Sequence, residues 1–189
     1  MTRTELIQGL IDKHEYKSYL EIGVNTPKQP GYSHDSIKIE TKHGVDPNVD
    51  TTFRMTSDEF FKMNNLDDQR LVYDIIFIDG DHTYEQCYRD IINSLNYLSY
   101  RGTIVVHDCN PTNEITQRVP RESDAWHGDV WKAIVRVRLE KNLEVVTVDT
   151  DEGCAIIRRG NVNPFDFLDK NRKALLNLVD VETWKTQYQ

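Results

Sequence analysis

The chain has 189 residues, 38% of them hydrophobic, enough for the core of one domain spanning residues 1–189. Acidic residues outnumber basic ones 31 to 23 for a formal charge of -8, and the scattered lysines and arginines argue against nucleic acid or an anionic membrane as partner. No stretch approaches the roughly 18 apolar residues of a membrane span and MTRTELIQGL has no signal-like apolar core, so a soluble, cytoplasmic protein is expected. Cys87, Cys109 and Cys154 are odd in number and widely spaced, which offers neither a disulfide framework nor a CxxC zinc motif and leaves buried thiols as the expectation.

Thr2 and Glu5 form a capping-box pattern ahead of Leu6, Ile7, Leu10 and Ile11, whose spacing marks one face of a short helix. Residues 19–23 (YLEIG) read as a buried strand, and residues 42–46 (KHGVD) as a second one after a weak helical signal at residues 36–40. A third strand is expected over residues 52–55, followed at once by a helix that Thr56 and Glu59 cap before Phe60 and Phe61. Residues 73–79 are strongly β-prone, and Thr83 with Gln86 repeats the capping pattern for a helix burying Cys87, Ile91, Leu95 and Leu98, stopped by Arg101 and Gly102. Residues 103–106 form the next strand, ending in His107 and Asp108.

After a polar loop at residues 110–128, Asp129 can cap a helix to about Leu139, and residues 143–148 and 154–158 flank the turn DTDEG as a hairpin. Asn163 and Pro164 open a terminal helix carrying Phe167, Leu168, Leu175 and Leu178. Strands alternating with helices give an α/β fold with a parallel sheet covered on both faces.

In such sheets ligands collect at the carboxyl ends of the strands. Acidic groups lie there: Glu21 beside Gly23, then Asp46, then Asp79, then Asp108 after His107. A single strand-end acid is commonly a helix cap or loop brace; a row of them points to a site.

The strings YLEIGV, GVDP, SDEFF, DIIFIDGDHTYEQCYRDI and GTIVVHD together resemble the class I methyltransferases that use S-adenosylmethionine, and among them a small branch whose members often methylate sugar hydroxyls. The resemblance implies a Rossmann-like, seven-stranded, mostly parallel sheet with helices on both faces and a C-terminal antiparallel β-hairpin. It also implies that S-adenosylmethionine is held by Glu21, Gly23, Asn25, Asp46, Thr56, Ser57 and Asp79. Asp46 suits the ribose hydroxyls, as acids do in dinucleotide folds. Thr56 and Ser57 lie near the adenine by analogy, or serve as helix caps. The chain departs from the wider superfamily after Gly23, where VNTPKQPG, with Pro27 and Pro30, replaces a glycine-rich turn.

Methyl transfer to a hydroxyl needs the acceptor oxygen stripped of its proton and aimed at the methyl group. A divalent cation, Mg2+ or Mn2+, lowers the pKa of a bound oxygen, and a nearby imidazole can take the proton. Asp79 and Asp108, on neighbouring strands about 4.8 Å apart, can share such an ion, with His107 as a third candidate ligand. By resemblance His82 is the general base, with Asp79 beside it; bracing loop carbonyls is its alternative role. In the region at residues 111–131, Arg118, Arg121, Trp126 and His127 are candidates to bind the acceptor, Trp126 by packing on a sugar ring or else, with Trp131, by plugging the core edge.

The sequence thus reads as a metal-assisted O-methyltransferase acting on a hydroxyl of a sugar or glycan, with a small-molecule or glycan acceptor and a homo-oligomer left open. Two other readings stand beside it. Asp79-Gly80-Asp81 could be the DxD element of a nucleotide-sugar glycosyltransferase, or the fold could be a non-catalytic module that binds S-adenosylmethionine.

Overall fold

A computed structural model describes residues 1–26, 32–64 and 71–160. The terminal helix expected from Asn163 and the prolines Pro27 and Pro30 lie outside the described residues. Helix α1 (Arg3–His14) leads into β1 (Ser18–Ile22), a short 3-10 turn (His34–Ser36) and β2 (Thr41–Val45). Then come α2 (Ser57–Asn64), β3 (Tyr73–Ile78), α3 (Tyr84–Leu95), β4 (Leu98–Val106), α4 (Val130–Val137), β5 (Leu143–Val148) and β6 (Cys154–Arg159).

The sheet order is β2-β1-β3-β4-β6-β5. The first four strands run parallel, and β6 turns antiparallel against both β4 and β5. Six strands are found among the described residues where seven were expected. The segment at residues 52–55 is reduced to one parallel bridge, Phe53 against Val45 at the β2 edge. Phe53 N donates to the Gly44 carbonyl at 2.9 Å, after which Met55 N bonds back to Phe53 O at 3.0 Å and the chain leaves the sheet for α2.

Side-chain alternation divides the core in two. Leu20, Ile22, Ile76, Ile78, Ile104 and Val106 pack with α2, α3 and α4 through Phe60, Phe61, Ile91 and Ala133. Tyr19, Ile75, Phe77 and Val105 pack on the other face against Ile7 and Ile11 of α1. No helix among the described residues is long and apolar enough to cross a membrane. Cys87, Cys109 and Cys154 are buried free thiols.

Two of the three capping boxes form. Thr2 Oγ1 accepts from Glu5 N at 3.2 Å while Glu5 Oε2 accepts from Thr2 N at 2.8 Å, and Thr56 and Glu59 exchange the same pair at 3.2 and 2.9 Å. The third does not: Thr83 sits at the N-cap of α3 without a side-chain hydrogen bond. Tyr84 N instead donates to Asp129 Oδ1 at 2.6 Å, so the residue expected to cap α4 caps α3. Strand β4 also begins earlier than expected. Its pairing with β3 skips from Leu98 to Thr103, so Arg101 and Gly102 lie in a bulge of the strand and not at the helix end.

Candidate active site

Four parallel strands end side by side, and their tips are tied together. Gly23 N donates to Val45 O at 2.9 Å, Asp79 N to Ile22 O at 2.8 Å and His107 N to Ile78 O at 3.0 Å. Gly23 has φ of 85°, and a Cβ there would stand 2.2 Å from the Asp79 carbonyl oxygen, so the chain after β1 can approach the tip of β3 this closely only with a glycine. Asn25 follows at φ of 61°, supplying the left-handed turn that a glycine would otherwise make.

Above the tips opens a cleft of about 920 Å³. Gly23, Asn25, Asp46, Thr56, Ser57, Asp79, His82, Asp108, Arg121 and Trp126 all line it. Asp46 is braced by its own loop, with Oδ1 accepting from Asn48 N at 2.8 Å and Val49 N at 3.3 Å and Oδ2 from Asn25 N at 3.4 Å. A carboxylate offers about four lone-pair sites, so room remains for a hydroxyl donor.

At the β3 and β4 tips, single donor atoms of Asp79, His82 and Asp108 lie within 4.8 Å of one another, a spacing that can hold a metal ion. Asp79 Oδ1 is 3.5 Å from His82 Nε2, and Asp108 Oδ2 is 3.2 Å from His82 Nδ1. The same His82 Nδ1 lies 2.8 Å from the Trp126 carbonyl, which accepts and therefore requires the proton on Nδ1. Nε2 is left facing Asp79. Trp126 stacks on the His82 ring at 5.5 Å and 24°, fixing its plane. Asp108 sits at φ of 57°, a conformation an aspartate tolerates at a cost and one found where structure serves chemistry.

His107, expected as a ligand, stands outside that group. It is buried and placed behind the two acids, with Nδ1 3.3 Å from Asp79 Oδ1 and 3.1 Å from Asp108 Oδ1. Its Nε2 meets Arg3 Nη1 at 3.1 Å. Arg3, which local pattern gave no reason to single out, reaches from the first turn of α1 to within 3.9 Å of Asp79 Oδ2 and pairs with Asp151 of the β5–β6 turn at 3.2 Å. Burial works against charge on Asp79, but hydrogen bonds from His107 and His82 prevail and hold its carboxyl well below the usual range. Burial likewise works against the two imidazolium ions. The carboxylates prevail there too, raising His82 through Asp79 and His107 through Asp108 and Asp79. The two carboxylates offer the oxygen donors that suit a dication, and a cation held between them would oppose the positive charge that they favour on the imidazoles.

Three further expectations fall elsewhere. Glu21 does not line the cleft: it is buried on the α1 face, accepting from Tyr19 Oη at 2.8 Å and Ser33 Oγ at 3.3 Å and lying 2.6 Å from His34 Nδ1. Arg118 is exposed and pairs with Glu122 at 2.7 Å, while its carbonyl accepts from Trp126 Nε1 at 2.7 Å. His127 is buried, 3.6 Å from Glu152 of the β5–β6 turn, and braces the loop without reaching the cleft. Of the expected acceptor contacts, Trp126 and Arg121 remain at the mouth. Asp81 Oδ1 accepts from Thr83 N at 2.9 Å as a loop brace, and it does not join the cation group that a DxD element would need.

A family model described as a methyltransferase domain matches residues 10–109, more than half of the chain. The chain belongs to this family. No curated protein matches the methyltransferase in sequence. Among solved structures it is similar to an O-methyltransferase from Bacillus cereus in complex with S-adenosylhomocysteine, at 12% identity, TM-score 0.59, and coverage of 83% of this chain and 80% of that one. It is also similar to the S-adenosylhomocysteine-bound methyltransferase PaMTH1 of Podospora anserina, at 18% identity, TM-score 0.52 and coverage of 84% and 78%. The MycE methyltransferase of the mycinamycin biosynthetic pathway, in complex with Mg and S-adenosylhomocysteine, matches at 14% identity and TM-score 0.54 over 83% of this chain and 49% of its own. At these identities the likeness is one of fold: the α/β sheet with its antiparallel C-terminal pair is that of the class I methyltransferases that use S-adenosylmethionine.

Proposed function

We propose that this methyltransferase transfers the methyl group of S-adenosylmethionine to a hydroxyl of a sugar or glycan, with a divalent cation held by Asp79 and Asp108 and with His82 as the proton acceptor. The observation that carries the reading is the convergence of Asp79, Asp108 and His82 in the same cleft as Asp46. That the similar MycE structure is in complex with Mg supports the metal part of this reading.

When bound, the cofactor supplies an electrophilic methyl on sulfonium sulfur, and the cation makes a coordinated hydroxyl more acidic. The chain supplies the remainder. Asp46 accepts hydrogen bonds from the ribose diol, and the glycine at position 23 keeps the strand tips close enough for the backbone to approach the ligand. His82, with Nδ1–H fixed on the Trp126 carbonyl, would present a free Nε2 to the acceptor hydroxyl once a cation offsets the carboxylates that otherwise keep the ring protonated. Trp126 and Arg121 face the mouth, where an aromatic plane and a guanidinium suit a polyhydroxylated acceptor. Holding the two reactants in line converts a bimolecular encounter into an effectively unimolecular step.

The test is a radiolabelled methyl-transfer assay over sugars, nucleotide-sugars and glycan ends, run with Mg2+, with Mn2+ and with chelator. Transfer that needs the metal and is abolished by Asp79→Ala and by His82→Ala supports the mechanism. Transfer to an identified acceptor that survives both substitutions would refute it.

A further inference from the structure

One buried acid in the cleft has no part in the chemistry above. Asp90, on the second turn of α3, is 1% exposed, yet its side chain lines the cleft where α3 faces the first turn of α2. An acid is seldom buried without a purpose, because burial costs the charged form its hydration. The groups that touch its carboxyl are neutral donors. Gln86 Nε2 donates to Asp90 Oδ1 at 3.0 Å and to Ser57 Oγ at 3.1 Å, and the Ser57 hydroxyl also bonds to Asp90. Gln86 thereby links α3 to α2 and fixes the acid against the opening.

The cleft is ordered along the sheet. The candidate cation group is at the tips of β3 and β4, and Asp46 is at the tip of β2, the edge beside which α2 begins. A nucleoside whose sulfur lies near the cation group and whose diol lies at Asp46 can place its base in the part of the cleft that Ser57, Gln86 and Asp90 line. We propose that Asp90, oriented by Gln86 and Ser57, accepts a hydrogen bond from the exocyclic amino group of that base and so selects adenine. The inference rests on the cofactor reading given above.

The chemistry is complementary. Adenine presents an N–H donor at this edge, whereas hypoxanthine presents a carbonyl oxygen there, which a carboxylate repels. Burial pushes the Asp90 carboxyl up to about 6, so at pH 8 it is an acceptor only.

The experiment is isothermal titration at pH 8 of the full chain with S-adenosylhomocysteine and with S-inosylhomocysteine, for the wild type, Asp90→Asn and Asp90→Ala. The wild type should bind the adenosyl compound about 10- to 100-fold more tightly, the scale of one buried hydrogen bond made or opposed. Asparagine both donates and accepts, so Asp90→Asn should narrow the gap to about threefold, and Asp90→Ala should also erode it. Equal affinity of the wild type for the two compounds, or an undiminished preference in both variants, overturns the role of Asp90 while leaving the cofactor reading intact. Binding of neither compound by the wild type overturns the cofactor reading and this assignment with it.

Discussion

When neutral, His82 has one tautomer open to it so long as its Nδ1 faces the Trp126 carbonyl at 2.8 Å, and this divides its proposed role from that of the two acids. Replacing His82 with alanine should lower methyl transfer about 10²- to 10⁴-fold, the usual worth of a positioned base. Mn2+ should still bind to His82→Ala, as read by electron paramagnetic resonance, and should be lost in Asp108→Ala. Equal loss of Mn2+ in both would make His82 a ligand and not the base. Asp90 carries a separate, thermodynamic expectation. Its carboxyl is raised in the folded chain to about 6 from an ordinary 3.8, so the folded state binds the proton more tightly. The associated stability is fully present below pH 4, is lost as pH rises to 6 and stays lost above it. Asp90→Asn should therefore stabilise the protein by up to about 3 kcal/mol above pH 6 and flatten the slope between pH 4 and 6, measured by denaturant unfolding.

At the scale of elements, the loop at residues 110–128 and the start of α4 are fastened to the β3–α3 turn. Gly128 has φ of 61°, and a Cβ there would lie 1.7 Å from the His82 carbonyl oxygen, while Asp129 N donates to that same oxygen at 3.1 Å. Gly128→Ala must push the turn that carries His82. A displacement of about 1 Å costs about 10²-fold in rate, so transfer should fall by that order in a variant that still folds, as checked by circular dichroism. Asp129→Ala removes the side chain that caps α3 and should cost about 0.5–2 kcal/mol, read as a lowered melting temperature.

The same elements show what could be read in advance. The acids at the tips were legible because strands and their ends have a local signature, and the boxes at Thr2 and Thr56 were legible because both partners lie three residues apart. The cap of α3 was not, because its acceptor comes from Asp129, 45 residues away. Nor were Arg3, Asp90, Gly128 or Asp151, whose neighbours are brought to them by tertiary folding. Glu21 and His107 carried a signal that went unused. Strand side chains alternate, so Glu21 follows Tyr19, and His107 follows Val105, toward the α1 face where Tyr19 and Val105 are buried. Glu21 thus lies against His34 and His107 beside Arg3, whereas Asp79, of the same parity but one residue past the end of β3, still lines the cleft.

Across the whole molecule, the sheet works as a ruler. Parallel strands in the order β2-β1-β3-β4 set Asp46 and the Asp79–Asp108 pair at defined distances along one edge, and helices on both faces hold the tips in register. The β5–β6 hairpin closes the far side and returns Asp151 to Arg3, so its turn meets the first turn of α1 behind the candidate cation group. The central claim is that these tips grip a divalent ion beside the cofactor. The most direct measurement is an anomalous difference map from crystals grown with Mn2+ and S-adenosylhomocysteine, collected near the manganese edge. The account predicts a peak about 2.0–2.5 Å from carboxylate oxygens of both Asp79 and Asp108, with the nucleoside diol at Asp46; a map with no peak between those two aspartates and no nucleoside over Asp46 would contradict it.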